Sequence, residues 1–462
     1  MKDVAESKIK EEILEGVDHA SKVINAWLPW KIKYDKVPGI SVGLTYKGKL
    51  VYKAGYGYAK LNPKIKATPD TCYRIGSISK TFTSIAILQL VENGKLKLDD
   101  PIERYLPWVK IRNGKITSKN ITIRQLLSHT GGIWRDGNTP HWATDRFPGA
   151  LELKKSVSKN TMVFENLTRF KYSNFGFALL GEIIQEISGI SYTEYVTKNI
   201  IKKLDLKHTL PDLDREIIGS LATGYSPIML QEKRKSCPNV EMKSYAPAAG
   251  WTSNVTDLAK FLSVLALNSK DSILSRELKK EMMREHWKTT DEEGFYGLGI
   301  GIRKTNRRKF IGHAGGVAGF TSRIAFDPES EIGVITLTNA TDGPADSINT
   351  GIFETICHFI DNKDDYNSKK QQSDMRKYEG CYCWRWWHTS IVGICGKLMA
   401  FSPLAESPMK EMTLLLPKNK DEFLIEEANN FAYVGETAKF IFKNGRKPQL
   451  IFGPTPLKLQ II

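Results

Sequence analysis

The sequence predicts an α+β fold: an antiparallel sheet flanked by helices, with a further helical region, followed by a small all-β barrel. Three observations carry this. Apolar residues recur at helical spacing near the N-terminus, at several places between residues 77 and 287, and over residues 349–360. Extended, β-rich runs gather on either side of that helical middle. Beyond residue 376, short β-rich runs recur about every eight to twelve residues, most of them separated by Gly, Pro, Asn or Asp.

In chain order, Ile9, Ile13, Val17, Ala20, Ile24 and Trp27 put one apolar face on a helix over residues 4–27. Residues 39–46 and 50–58 are short strand runs around Lys47-Gly48-Lys49, a hairpin signal. Residues 77–93 form a helix with Gly94 as its stop. Residues 121–127, 174–188, 255–267 and 276–287 read as further helices. The pattern then turns extended over 296–303, 309–313, 321–327 and 332–339, and 349–360 closes as a helix. This order of elements separates a sheet with helices from a helical region in the middle of the chain. From Asp361 to Gln372 there is almost no apolar content, which marks a linker over 363–376 between a first domain, 1–362, and a second, 377–462. The second domain's β-rich runs centre on Tyr382, Ile391, Leu398, Leu415, Phe423, Phe440, Leu450 and Leu459.

Composition excludes several function classes. The 462 residues exceed one typical domain, and 41% hydrophobic with 26% charged residues is ordinary for a soluble protein. No uncharged run approaches the roughly 18 residues of a membrane span. The charged start, Met1 to Glu12, lacks the apolar region of a signal peptide, so the expectation is a cytoplasmic protein without a membrane partner. The net charge of +16 is spread along the chain, often beside acidic residues, with no long basic block and no nucleic-acid motif. It reads as a Lys-rich solvated surface. Six cysteines are too few for a disulfide scaffold. Cys381 and Cys383 alternate on one strand without a second pair at zinc-ribbon spacing, so reduced thiols and no metal are expected.

The chemistry begins at Gly76-Ser77-Ile78-Ser79-Lys80. Residues three apart share a helix face, so Ser77 and Lys80 project together at the first turn of their helix. A serine hydroxyl becomes a nucleophile when a base takes its proton. Lys80 serves as that base only when neutral, which burial or a neighbouring cation promotes. Lys171-Tyr172-Ser173-Asn174-Phe175-Gly176 precedes an apolar helix and offers a phenol and an amide. Gly312-His313-Ala314-Gly315-Gly316 lies between extended runs, where glycines allow a backbone to approach closely.

Together and in this order, these segments resemble the serine β-lactamase and penicillin-binding superfamily, whose motifs are Ser-x-x-Lys, Ser-Asp-Asn and Lys-Thr-Gly. The second motif here, Tyr-Ser-Asn, is that of class C β-lactamases and their relatives. The third, His-Ala-Gly, departs from Lys-Thr-Gly and is similar to relatives that are esterases, D-aminopeptidases or peptidases. The resemblance runs over roughly residues 20–360. It includes Leu126-Leu127-Ser128-His129-Thr130-Gly131-Gly132, Ala248-Ala249-Gly250-Trp251-Thr252-Ser253, Asp257 to Phe261, Tyr296 to Gly301, and Phe326-Asp327-Pro328. His129 belongs to a segment read as structural.

What the resemblance implies is an acyl-enzyme hydrolase. Ser77 attacks a carbonyl, and Lys80 and Tyr172 move the proton, with either one open as the base. Asn174, His313 and Gly315 bind substrate. The backbone N–H groups of Ser77 and Gly316 form an oxyanion hole. No metal and no organic cofactor is called for. Short peptides, some with D-residues, are the expected substrates; an ester or a β-lactam is the alternative, and a non-catalytic binding protein the third reading. The tail, from Tyr378-Glu379-Gly380-Cys381-Tyr382 through Gly396-Lys397-Leu398, resembles the lipocalin-like barrel of some superfamily members. In an archaeal peptidase of that group such a barrel helps assemble a closed oligomer, so a homo-oligomer is implied. Trp384, Trp386 and Trp387 read as barrel wall or subunit contact.

Overall fold

The computed structural model describes residues 2–113, 116–157, 161–214, 217–228, 233–269, 272–290, 294–305, 308–366, 374–385, 387–428, 433–443 and 448–460. They fall into two compact units: Pro38–Ala345, and Met1–Val37 together with Asp346–Ile462. The fold is the expected α+β class, and the chain ends in a closed barrel.

In the first unit, nine described strands form one antiparallel sheet. They are β1 (Gly39–Tyr46), β2 (Lys49–Leu61), β3 (Lys64–Lys66), β4 (Trp287–Lys288), β5 (Gly294–Tyr296), β6 (Gly301–Lys304), β7 (Lys309–Val317), β8 (Phe320–Asp327) and β9 (Ile332–Thr338). Their spatial order is β3-β2-β1-β9-β8-β7-β6-β5-β4. Every residue of β1 and of β9 is buried. These neighbours are therefore covered on both faces, and their sequences run apolar where a half-exposed strand would alternate. Gly43 and Gly333 have no side chain to spare: a Cβ on either would collide with Val255 or Leu262 of the helix Val255–Ser263.

Helix α1 of this unit (Ser79–Glu92) is buried from Ser79 to Leu90. It turns no face to solvent over that stretch, because it is a central post. Phe82 stacks between Trp251 and Phe261, with ring centroids 4.2 and 3.7 Å apart. Helix α2 (Asn174–Ser188) starts at the Ser173 cap, whose Oγ accepts from the Gly176 N–H at 2.8 Å. It stops at Gly189, where φ is +74°.

In the second unit the barrel strands are β10 (Gly380–Cys383), β11 (His388–Ile394), β12 (Lys397–Phe401), β13 (Thr413–Asn419), β14 (Glu422–Ala428), β15 (Thr437–Ile441), β16 (Gln449–Phe452) and β17 (Thr455–Gln460). Each pairs with the next, and β10 closes on β17 through Cys381 and Gln460. A barrel of eight strands has an interior just wide enough for side chains to fill. Tyr382, Ile391, Leu398, Leu415, Phe423, Phe440 and Leu450 fill this one, with Trp384 and Trp387 packed against them. The N-terminal helix, Lys2–Tyr34, joins this unit: Trp27 Nε1 donates to the Ala405 carbonyl at 3.1 Å, and Lys31 Nζ to that of Leu404 at 3.3 Å.

Several element ends differ from expectation. The N-terminal helix runs on through Pro29 to Tyr34. The helix expected over 276–287 ends at Met282, because Trp287 pairs with Tyr296 in the sheet. That over 255–267 ends at Ser263. The extended run 296–303 breaks into β5 and β6 around Gly299, at φ +69°. The third helix starts at Ile123, since Thr122 caps it and shares a reciprocal capping box with Gln125. Of the linker, residues 367–373 lie outside the described residues, as does Trp386.

Candidate active site

Ser77 sits in a short 3₁₀ turn, Gly76–Ile78, that leads into α1. Gly76 has φ +50°, and a Cβ there would lie 2.6 Å from the Gly316 nitrogen. Only glycine lets β7 press so closely on the turn. Two more links hold the turn in place. The Ile75 N–H donates to the Trp251 carbonyl at 2.9 Å, and the Ser79 Oγ accepts from the Trp251 N–H at 3.1 Å. The segment 248–253 is thus lashed to the nucleophile's turn.

One helical turn on, Lys80 is fully buried. Its Nζ lies 3.1 Å from Ser77 Oγ and donates to Asn174 Oδ1 at 2.7 Å and to the Ala248 carbonyl at 2.8 Å. Burial holds its pKa well below the ordinary lysine value; the carboxylate of Asp136 opposes that shift and Arg135 adds to it. Nζ also stands 4.8 Å from the centre of the Tyr172 ring. The Tyr172 hydroxyl hydrogen-bonds the Ser77 side chain, yet burial dominates and pushes its pKa up, so the phenol keeps its proton.

The Ser173 cap explains why tyrosine and asparagine flank a serine. Ser173 Oγ accepts from Gly176 and donates to the Trp134 carbonyl at 2.6 Å. That leaves Tyr172 just before the helix and Asn174 at its first residue, both beside Lys80. Asn174 is held at its other end, where Nδ2 donates to Asp136 Oδ1 at 2.6 Å. Asp136 accepts from Trp142 Nε1 at 2.7 Å and pairs with Arg135 at 3.2 Å.

On β7 the two glycines differ. A Cβ on Gly315 would collide with the Ile75 carbonyl and Ser322 Oγ, so Gly315 faces the nucleophile's turn. A Cβ on Gly316 would meet nothing within 4 Å, so Gly316 borders open space. His313 is buried, and its Nδ1–H donates to the Ala314 carbonyl at 2.5 Å. Its Nε2 accepts from the Tyr296 hydroxyl at 2.8 Å. Burial dominates and, with Arg323 adding to it and the Ala314 carbonyl opposing it, pushes its pKa down to about 3. The ring is neutral, with both nitrogens engaged.

The structure therefore gathers Ser77, Lys80, Tyr172 and Asn174 into one network, with Gly315, Gly316 and His313 on the adjoining strand. Sequence reasoning missed Asp136, which orients Asn174, and Tyr296, which holds His313. The signal for Tyr296 was its place in a segment shared with the superfamily; Asp136 carried none. Among the described residues no group of three or more His, Cys, Asp or Glu side chains could hold a metal ion. The Cys381 and Cys383 sulfurs lie 3.7 Å apart on one strand face. No described helix is long and apolar enough to cross a membrane.

A family model described as Beta-lactamase matches residues 31–355. The chain belongs to this family of serine β-lactamase-like hydrolases, and to the wider penicillin-binding superfamily. Protein flp of Staphylococcus aureus (strain MW2) is 30% identical over 308 residues, 66% of this chain and 60% of that protein. The chain thus spans less than two thirds of that relative. The mitochondrial serine beta-lactamase-like protein LACTB of Homo sapiens is 26% identical over 390 residues, covering 65% of this chain and 71% of LACTB. Among solved structures, the octameric penicillin-binding protein homologue from Pyrococcus abyssi superposes with a TM-score of 0.62 at 26% identity, covering 92% of this chain and 97% of that one.

Proposed function

We propose that the chain is a serine hydrolase that cleaves short peptides, including ones with D-residues, through an acyl-enzyme on Ser77. The placing of buried Lys80 against Ser77 carries this reading. Its Nζ has three acceptors within reach, Asn174 Oδ1, the Ala248 carbonyl and Ser77 Oγ. In the neutral amine the first two keep the two N–H donors, and the lone pair turns to the Ser77 hydroxyl 3.1 Å away. Lys80 is the general base, and burial favours its neutral form.

In the acylation step Ser77 Oγ attacks the carbonyl carbon and its proton passes to Lys80. The backbone N–H groups of Ser77 and Gly316 receive the oxyanion, a contribution of about 3–4 kcal/mol per donor. Tyr172 gives its proton to the departing amine and is recharged from the Lys80 ammonium. Water then enters by the reverse route and releases the acyl group. A phenol kept protonated beside Ser77 favours an amide substrate, because an amine must be protonated to leave and an activated ester's phenoxide need not be. Asn174, Gly315 and His313 shape the substrate's seat. A β-lactam carries a carboxylate, and the neutral His313 offers it no cation where penicillin-binding proteins have a lysine. The likeness to an octameric homologue supports self-association.

The test is a fluorophosphonate probe together with a panel of a p-nitrophenyl ester, a cephalosporin and L- and D-peptides. The expected result is labelling that Ser77→Ala abolishes, with turnover of peptides above the other two. Undiminished labelling of Ser77→Ala would overturn the nucleophile; cephalosporin turnover above peptide would overturn the substrate class.

A further inference from the structure

His129 stands beside the proposed acid without having been assigned a part in the reaction. The chain from 163 to 173 runs along residues 129–132 in a seam of main-chain hydrogen bonds. The Val163 and Phe164 N–H groups donate to the Gly132 carbonyl at 2.9 and 3.1 Å, and the Leu167 N–H donates to that of Thr130 at 2.9 Å. At Tyr172 the seam changes character. The Lys171 N–H donates to the His129 carbonyl at 2.8 Å, and the Ser173 N–H donates to His129 Nδ1 at 3.1 Å. One residue thus grips the amides on both sides of the tyrosine, once with its main chain and once with its side chain.

Two further facts fit this grip. His129 has φ +59°, a left-handed backbone in which His, Asn and Asp are enriched. Its ring lies 4.2 Å from the Tyr172 ring, 4.8 Å from that of Tyr296 and 5.3 Å from that of Phe177, and is 1% exposed. Because Nδ1 accepts a hydrogen bond, the proton is on Nε2, a buried atom with no hydrogen-bond partner among the described residues. A histidine there for packing alone would bury that N–H with nothing to offset it; an acceptor at Nδ1 is what the position uses.

We propose that His129 is the positioning residue for Tyr172, fixing the phenol against Ser77 and Lys80 by holding the amides of Lys171 and Ser173. The inference rests on the reading of Tyr172 as general acid. It predicts that loosening His129 harms amide cleavage, where the leaving group needs a proton, more than cleavage of an activated ester, where it does not.

Two variants separate the grip from the packing. His129→Phe keeps a buried ring and removes the acceptor. His129→Asn removes the ring, keeps an acceptor oxygen in the place of Nδ1 and suits the left-handed backbone. Two measurements read them in the full-length protein. The first is amide hydrogen exchange over residues 168–176 by mass spectrometry. The second is kcat and KM on p-nitrophenyl acetate and on the p-nitroanilides of D- and L-alanine. With His129→Phe, exchange should rise at least tenfold over 168–176 while residues 177–187 stay protected. Anilide kcat should fall at least tenfold more than ester kcat, with KM little changed. His129→Asn should recover most of both. Equal losses on ester and anilide, or better recovery by phenylalanine than by asparagine, would overturn the positioning role. Unchanged exchange in His129→Phe would overturn the grip itself, whether or not the protein is active. Failure of the wild type to take a fluorophosphonate or turn over any of these compounds would sink the hydrolase reading, and with it the role in proton delivery, while exchange alone still decides the grip.

Discussion

Around Ser77 the buried side chains include Lys80, His129, Asn174 and His313. The interior of the barrel is instead closed by Ile391, Leu398, Leu415, Phe423, Phe440 and Leu450, and its buried Tyr382 finds a carbonyl, that of Tyr378, at 2.8 Å. The barrel interior is filled as a core should be, with apolar volume. Around Ser77 the sheet-and-helix unit instead buries Lys80, His129 and His313, whose pKa values are all pushed down. It also holds Gly76 and His129 in left-handed backbone at the same place. Burying polar groups costs stability. A protein breaks its local rules where function demands it, so the contrast supports placing the proposed chemistry around Ser77 and not inside the barrel.

The sharpest way to break this contrast is at the network itself. Lys80→Met and Ser77→Ala should each lower the acylation rate by ~10⁴ or more, followed by fluorophosphonate labelling, and Ser77→Ala should leave Tm nearly unchanged. Next comes Phe440→Ala in the barrel. It removes a fully packed ring and should cost about 3–5 kcal/mol of stability in calorimetry, while the folded protein keeps its labelling rate. A large rate loss in that variant would erase the division between the units. Smaller, and dependent on pH, are two consequences of the displaced pKa values. Lys80 acts when neutral, so the acylation rate should rise with pH and level off well below the ordinary lysine value of 10.5. A rate that climbs all the way to that value would show Lys80 charged at neutrality. His313 is neutral when folded down to about pH 3 but takes a proton near 6.5 when unfolded. Between those values the unfolded state binds more protons, so stability falls as pH falls, at about 1.4 kcal/mol per pH unit for one such group. His313→Asn should flatten that slope in denaturant titrations between pH 4 and 6.

Much of this was legible in the chain. The Ser77–Lys80 spacing is local, and helix geometry alone brings the two side chains together. All eight barrel strands fall on the β-rich runs, because alternation with turn residues between is a short-range signal. Helix ends were less legible. Trp287 continues a helical pattern but is drawn into the sheet by Tyr296, a partner the pattern does not contain. The same limit hid Asp136, which reaches Asn174 across 38 residues, and the part played by His129, whose Nδ1 meets the Ser173 amide across 44. No periodicity encodes such meetings; they exist once the seam has closed.

The burial of Lys80 has a consequence for when the proposed base can begin to work. On the ribosome, or in a chain still searching for its fold, Lys80 is wet, charged and useless as a base. Its partners Asn174 and the Ala248 carbonyl lie 94 and 168 residues further along, so the serine stays inert until that stretch of chain has been made and docked. Under the proposed mechanism, completion of the fold is therefore the condition for a reactive serine.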